Sequence, residues 1–127
     1  MNVVDSSAWL EYFANGPNAG YFAPAIEDVS QLLVPSICIL EVFKRVHQQR
    51  GEALALQAVA LMQQGHLQAL DAPLALSAGR IGLAHSLPLA DSVVLATARR
   101  HGAILWTQDA GFKGLEGVRY TQRRKPR

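Results

Sequence analysis

Four carboxylates of this chain stand where apolar runs end or where helices begin, namely Asp5, Glu41, Asp91 and Asp109. If the fold gathers them, they repel one another, and some must take up protons at neutral pH unless a cation neutralises them. Ligation by oxygen alone suits Mg²⁺ or Mn²⁺, which also bind phosphate oxygens. The chemistry that fits such a cluster is metal-assisted hydrolysis of a phosphodiester.

Each carboxylate also has a plainer interpretation on its own. Asp91 can simply stabilise a helix dipole in a first turn, and Asp109 can form a turn after a strand. Glu41 can pair with Arg45 one helical turn later. One such placement is common by chance, but four from separate elements are much less so.

The elements that position these residues follow from apolar periodicity and from turn and cap signals. Strands are predicted at 2–4, 32–34, 66–70, 103–107 and, as an edge, 118–121. The first helix is expected to follow a cap at Ser6 or Ser7, and Pro35 and Ser36 are expected to end the second strand and cap the third helix. Further helices are predicted at 19–29, 37–49, 52–64, 73–85 and 91–102, with a turn or short helix at 111–115.

This alternation predicts an α/β fold with a central parallel sheet of four to five strands, flanked by helices on both faces. The carboxyl ends of parallel strands share one edge, where ligands of open α/β sheets bind. Asp5 and Asp109 follow strands, whereas Glu41 and Asp91 lie in early helix turns. All four are therefore expected at that edge.

Composition narrows the class of protein. The 127 residues suffice for one domain, and with half of them apolar a real core is expected. Cys38 is the only cysteine, so an internal disulfide is excluded and a reducing cytoplasm is the expectation. The amino terminus does not resemble a secretory signal, and no apolar run approaches the length of a membrane span. The four histidines lack ligand-like spacing and are expected on the surface or at helix ends.

Three segments, VVDSSAW, ICILEVFKR and LPLADSVVLATARRHGAILWTQDAGF, resemble the PIN-domain ribonucleases, and among them the VapC-type toxins of prokaryotic toxin-antitoxin pairs. The likeness covers about the whole chain, and T-x-D-x-x-F is its most specific part. It implies a PIN fold, Mg²⁺- or Mn²⁺-dependent endonuclease activity on RNA, a homodimer, and inhibition by a cognate antitoxin.

The resemblance also assigns roles to single residues. The family's acidic quartet matches Asp5, Glu41, Asp91 and Asp109. Thr107 matches a hydroxyl residue of the last motif, and Ser6 is expected to add a hydrogen bond near the metal. Relatives often carry an acidic or polar residue two places after the last Asp, where this chain has Gly111, so a second metal would be weakly held.

The carboxyl terminus carries much of the positive charge. Without the last five basic residues, residues 1–118 hold seven basic and ten acidic side chains, a net charge of −3 that would repel RNA. We therefore predict one PIN domain at 1–122 and a basic tail at 123–127 that contributes RNA affinity. The tail residues in question are Arg123, Arg124, Lys125 and Arg127. A solubilising end is the alternative.

Two other functions stay open at this level. One is a PIN-like module that binds RNA or protein without cleaving, although a binder has no need to gather like charges. The other is a phosphatase that forms an aspartyl-phosphate on Asp5, although Ser7 stands where such enzymes usually repeat an acid. The aromatic residues of the first two helices are expected either to line an antitoxin groove or to fill the core. They are Trp9, Tyr12, Phe13, Tyr21 and Phe22.

Overall fold

The structure, a computed structural model, describes residues 1–126. Within that range five short strands form one sheet: β1 Asn2–Val4, β2 Leu32–Pro35, β3 His66–Gln68, β4 Ile104–Thr107 and β5 Val118–Tyr120. Six α-helices surround it: α1 Ser6–Phe13, α2 Ala19–Glu27, α3 Ser36–Arg50, α4 Glu52–Met62, α5 Ala72–His85 and α6 Leu89–Arg100.

Every strand pair of the sheet is parallel, and the spatial order is β3-β2-β1-β4-β5. β1 lies at the centre, where Asn2 stands opposite Leu32 on one side and Ile104 on the other. This confirms the predicted parallel α/β sheet, with five strands and β5 at an edge. The carboxyl ends of β1 and β4 are neighbours, and so are the residues that follow them.

The core lies against both faces of the sheet. Leu32, Leu33 and Val34 of β2 are buried without a gap, which is the pattern of a strand covered on two sides. The helix α6 is buried over seven consecutive residues, 92–98, so it is a central helix and not a surface one. Its first turn, which carries Asp91, is therefore held in place by packing along the turns that follow.

The structure corrects several element boundaries. The second helix ends at Glu27 instead of residue 29, because Val29–Gln31 forms a separate 3₁₀ turn. The fourth helix stops at Met62, and the third strand stops at Gln68. The helix predicted at 91–102 begins two residues earlier, at Leu89, and ends at Arg100.

Of the predicted caps, that of α1 is wrong, and that of α3 is correct for Pro35 but not for Ser36. Neither Ser6 nor Ser7 caps α1; the side chain of Asp5 does so, accepting a hydrogen bond from the backbone N–H of Ala8. At α3 the cap position is Pro35, with no side-chain hydrogen bond, and Ser36 is already helical. In both cases the residue directly before the helix occupies the cap position, and the serines lie inside the helix.

Among residues 1–126, no single helix is long and apolar enough to cross a membrane. The helices α5 and α6 reach that length and composition only as a pair, and they are bent by 113° relative to each other.

Candidate active site

Asp5 is the most constrained of the predicted site residues. Its side chain is buried, with 4% of its surface exposed, at the junction of β1 and α1. Oδ1 accepts hydrogen bonds from the Ala8 N–H at 3.1 Å and the Ser7 hydroxyl at 2.8 Å. Oδ2 accepts one from the Thr107 hydroxyl at 2.8 Å. Burial raises the pKa of Asp5 to about 6, although the hydrogen bonds from Ser7 and Thr107 oppose that shift.

Thr107 connects Asp5 to the second acidic loop. It is fully buried at the end of β4, and its hydroxyl oxygen accepts a hydrogen bond from the backbone N–H of Asp109 at 2.9 Å while donating to Asp5. The Asp109 carboxylate in turn accepts from the Gly111 N–H at 2.9 Å, which turns the chain into a short 3₁₀ segment. One hydroxyl therefore sets the relative position of two carboxylates.

Glu41 reaches the same region from α3. The Ser6 hydroxyl donates a hydrogen bond to Glu41 Oε1 at 2.7 Å, across 35 residues of sequence. Within residues 1–126, Glu41 forms no ion pair with Arg45, so the plainer interpretation of Glu41 does not describe this structure. Ser6 does make a hydrogen bond to a candidate ligand, as the resemblance implies.

Asp91 completes the group from the first turn of α6, where it is half-buried. Burial, and after it the negative charges of Asp109, Asp5 and Glu41, raise the pKa of its carboxyl to about 6. The four carboxylates therefore influence one another electrostatically. All four line a single cleft of about 1100 Å³ at the carboxyl edge of the sheet.

The donor chemistry of this group fits a hard divalent cation. Carboxylate and hydroxyl oxygens line this part of the cleft. Burial, together with the neighbouring carboxylates, raises the pKa values of Asp5 and Asp91, and a bound cation would stabilise their charged forms. As the side chains stand, no three His, Cys, Asp or Glu residues within 1–126 are arranged to hold a metal as one cluster. Mg²⁺ commonly keeps several waters and takes only one or two carboxylates directly, so the donor set fits a hydrated ion.

The cleft also has a cationic wall that the sequence interpretation missed in part. Lys44, Arg45 and Arg50 of α3 line it together with Arg123. Lys44 and Arg45 come three and four residues after Glu41, the spacing that puts side chains on one helix face, so this signal was available. Positive side chains in the same cleft as the four carboxylates suit a substrate with a polyanionic backbone.

The other predicted tail residues differ from Arg123. Arg123, Arg124 and Lys125 are all exposed, and of these three only Arg123 lines the cleft. Arg127 lies outside the described residues. Of the three tail cations among the described residues, one therefore lines the cleft that the four carboxylates also line.

Two further expectations concern residues outside the cluster. Cys38 is fully buried, as predicted for a small core residue; its thiol lies 3.8 Å from the Val4 carbonyl oxygen, and burial raises its pKa. His47, His66, His85 and His101 are all exposed. None of the four lines the cleft, in agreement with their predicted surface positions.

The aromatic residues of α1 and α2 divide between core and cleft. Trp9 and Phe22 are buried in the core, so for these two the core-filling alternative is correct. Phe13 stacks on Trp9 with ring centroids 5.6 Å apart and lines the cleft. Leu10 and Leu40 lie along the same apolar part of the cleft.

Comparison with known proteins gives one family and one fold. A family model described as the PIN domain matches residues 3–118. A toxin-antitoxin complex from Klebsiella pneumoniae superposes with a TM-score of 0.77 at 21% identity, over 94% of this chain and 96% of that one.

Other solved structures share the architecture at lower identity. VapC20 of Mycobacterium tuberculosis, described as a sarcin-ricin loop cleaving toxin, has a TM-score of 0.76 at 16% identity over 91% of this chain and 95% of its own. DNA-bound VapBC of Salmonella typhimurium has a TM-score of 0.74 at 14% identity, over 96% and 97%. No curated protein matches the chain.

Proposed function

Since the chain belongs to the PIN domain family, we propose that it is a Mg²⁺- or Mn²⁺-dependent endoribonuclease and the toxin of a toxin-antitoxin pair. The observation that carries this proposal is the convergence of four carboxylates from four separate elements on one cleft. Like charges brought this close lower the stability of the folded protein, and a bound cation would offset that loss. The cationic wall of the same cleft supports a nucleic-acid substrate.

In this mechanism the side chains of the protein would hold the metal ion, and hydrogen bonds would orient the carboxylates that bind it. Asp5, Glu41, Asp91 and Asp109 would hold the ion, with Thr107 fixing Asp5 and Ser6 fixing Glu41 by the hydrogen bonds described above. When bound, the ion supplies Lewis acidity and an activated water for hydrolysis of the phosphodiester. A carboxylate with a raised pKa also competes for protons, so ion binding should strengthen as pH rises through about 6.

The toxin role and its partner rest on different support. Structures of similar fold include assemblies titled toxin-antitoxin complex and VapBC, so a cognate antitoxin is the partner we expect. The apolar part of the cleft supports this expectation, because an amphipathic segment can cover it. Its lining includes Leu10, Phe13, Leu40, Leu54 and Leu61. A ribonuclease toxin encounters its RNA substrate and its antitoxin in the cytoplasm, so we propose a cytoplasmic location.

We also propose a homodimer with one PIN domain, residues 1–122, in each protomer. Three leucines of α5 and α6 remain highly exposed, Leu76 at 62%, Leu83 at 89% and Leu89 at 82%. Exposed apolar side chains of this size favour burial against a partner. Light scattering at micromolar concentration tests the state, and a monomer would contradict it.

The activity itself is tested with purified protein and a mixture of structured and single-stranded RNAs. Cleavage should require Mg²⁺ or Mn²⁺, stop in chelator, and be lost in Asp5→Asn. Glu116→Gln, which removes an exposed carboxylate that does not line the cleft, is the matched control and should stay active. RNA binding without cleavage would favour the non-cleaving module, and turnover of small phosphate esters without RNA cleavage would favour the phosphatase.

A further inference from the structure

The chain that follows β5 is anchored beside the carboxylates. The Thr121 N–H donates a hydrogen bond to the Thr107 carbonyl oxygen at 3.0 Å, so the pairing of β5 with β4 continues one residue beyond the strand. The next residue is held as well, because the Gln122 carbonyl oxygen accepts a hydrogen bond from Asn18 Nδ2 at 3.0 Å. The basic tail therefore starts from a fixed point next to the end of β4.

Asn18 is the centre of this anchor. It is 1% exposed, and its Nδ2 donates to both the Gln108 side-chain oxygen at 3.0 Å and the Gln122 carbonyl oxygen. Gln108, which is 3% exposed and lies between Thr107 and Asp109, donates in turn to the Ser7 carbonyl oxygen at 3.4 Å. These three hydrogen bonds from buried amide groups hold the path of the chain, whereas Asn18 Oδ1 has no hydrogen-bond partner among the described residues.

Arg123 is the first residue beyond the anchor, and it lines the cleft that holds the four carboxylates. Among the described residues, no Asp or Glu lies within ion-pair distance of its guanidinium. The guanidinium of Arg123 therefore lines the cleft without an ion pair to an acidic side chain of the described residues. A guanidinium offers a planar fork of donors that matches two phosphate oxygens.

We propose that Arg123 binds a backbone phosphate of the RNA inside the active-site cleft, and that Asn18 is a positioning residue that holds Arg123 there through the Gln122 carbonyl. This inference rests on the proposed ribonuclease function. It separates Arg123 from Arg124 and Lys125, which lie outside the cleft and add only general attraction.

The test compares neighbouring substitutions that remove the same charge. Initial rates of Mn²⁺-dependent cleavage of a fluorescent RNA oligonucleotide give kcat/KM for wild type, Arg123→Gln and Arg124→Gln. We expect Arg123→Gln to lower kcat/KM by about 10- to 100-fold, since a hydrogen bond to a charged group is lost. Arg124→Gln should lower it by less than about threefold. Equal effects of the two variants would overturn the proposal.

Position is then separated from charge. Insertion of one glycine between Gln122 and Arg123 keeps every charge but shifts the arginine out of register, and it should reproduce the loss seen with Arg123→Gln. Asn18→Ala should also lower kcat/KM, and in the Arg123→Gln background it should add little. Additive losses would mean that Asn18 acts on Asp109 through Gln108, which would overturn the positioning role.

Two measurements keep the outcomes distinct. Mn²⁺ affinity by calorimetry should be the same in wild type and Arg123→Gln; a higher affinity in the variant would mean that Arg123 competes with the ion, and would overturn phosphate binding. Wild-type protein that cleaves no RNA would refute the proposed function itself. If wild-type protein is active and Arg123→Gln leaves kcat/KM unchanged, only this inference is refuted.

Discussion

Replacement of Asp5 by Asn should stabilise the metal-free protein at neutral pH while abolishing cleavage. The wild-type carboxyl has a pKa of about 6 in the folded protein against 3.8 as its ordinary value, chiefly because it is buried. A carboxyl with a raised pKa contributes stability that is fully present below pH 3.8 and is lost as the pH rises through about 6. At pH 7.5 the folded protein therefore carries an unfavourable charge that asparagine lacks.

The size of the effect follows from the shift and from the hydrogen bonds. A pKa raised from 3.8 to about 6 corresponds to about 3 kcal/mol of folding free energy at pH 7.5. Asparagine keeps the acceptor for the Ala8 N–H and the Ser7 hydroxyl but loses the acceptor for the Thr107 hydroxyl, which costs about 1 to 2 kcal/mol. The expected net gain is about 1 to 2 kcal/mol, or about 3 to 8 °C in Tm.

Thermal melts in chelator at pH 7.5 and near pH 4.5 measure this gain. The advantage of Asp5→Asn should shrink at the lower pH, because wild-type Asp5 is then protonated. Added Mn²⁺ should raise the Tm of wild type more than that of the variant. Asp28→Asn, at an exposed position away from the cleft, is the control and should leave the melt nearly unchanged. A variant that melts below wild type at pH 7.5, or a difference independent of pH, would refute the reasoning.

Four further outcomes follow from the same geometry. Glu41→Gln, Asp91→Asn and Asp109→Asn should each lower the cleavage rate at least about 100-fold without lowering the metal-free Tm; full activity of Asp91→Asn would contradict the assignment. Mn²⁺ affinity measured by calorimetry should rise between pH 5 and 7, since the pKa of Asp91 is about 6; a flat profile would count against ion binding by these carboxylates. Thr107→Val should destabilise the protein by about 1 to 3 kcal/mol in denaturant melts, because a buried carboxylate oxygen loses its donor, and Thr107→Ser should recover most of that loss. Deleting residues 124–127 should weaken RNA binding and reduce the salt slope by about 2 while the maximal rate is kept; an unchanged slope would leave those residues as a solubilising end.

The sequence predicted the sheet and the edge where the carboxylates meet, because both depend on local signals. Apolar runs that end at Asp5 and Asp109 indicate strands, and parallel pairing then brings their carboxyl ends together. The network of Asn18 and Gln108 was not predictable in this way. Their side chains meet across 90 residues, and an asparagine in an NGPN turn gives no local sign that it is 1% exposed. Polar contacts between distant loops depend on the whole fold, whereas strand and helix starts do not.

The cap of α1 shows how a structural role and a site role combine in one residue. Both serines after β1 have the usual chemistry of a cap, yet Asp5 takes that position and Ser6 and Ser7 donate to carboxylates. The capping hydrogen bond already fixes the rotamer of Asp5. The hydrogen bond from Thr107 can therefore orient the second carboxylate oxygen with little further loss of side-chain entropy. Local rules therefore predicted the wrong capping residue, because the hydroxyls of Ser6 and Ser7 donate to carboxylates of the site instead of capping the helix.

Gly111 bears on how many ions the cleft can hold. Its N–H donates to Asp109 Oδ1, and a Cβ at this position would lie 3.3 Å from that same oxygen. A larger residue would therefore press on the carboxylate, whereas glycine leaves Asp109 in place with one oxygen already hydrogen-bonded. Position 111 thus supplies no acidic side chain. Two divalent ions would have to share the four proposed ligands, of which Asp5 already has both oxygens hydrogen-bonded. Glu11 also lines the cleft, but its carboxylate already accepts a hydrogen bond from the Asn18 N–H. On the proposed function we therefore expect one firmly held ion, with any second ion held weakly.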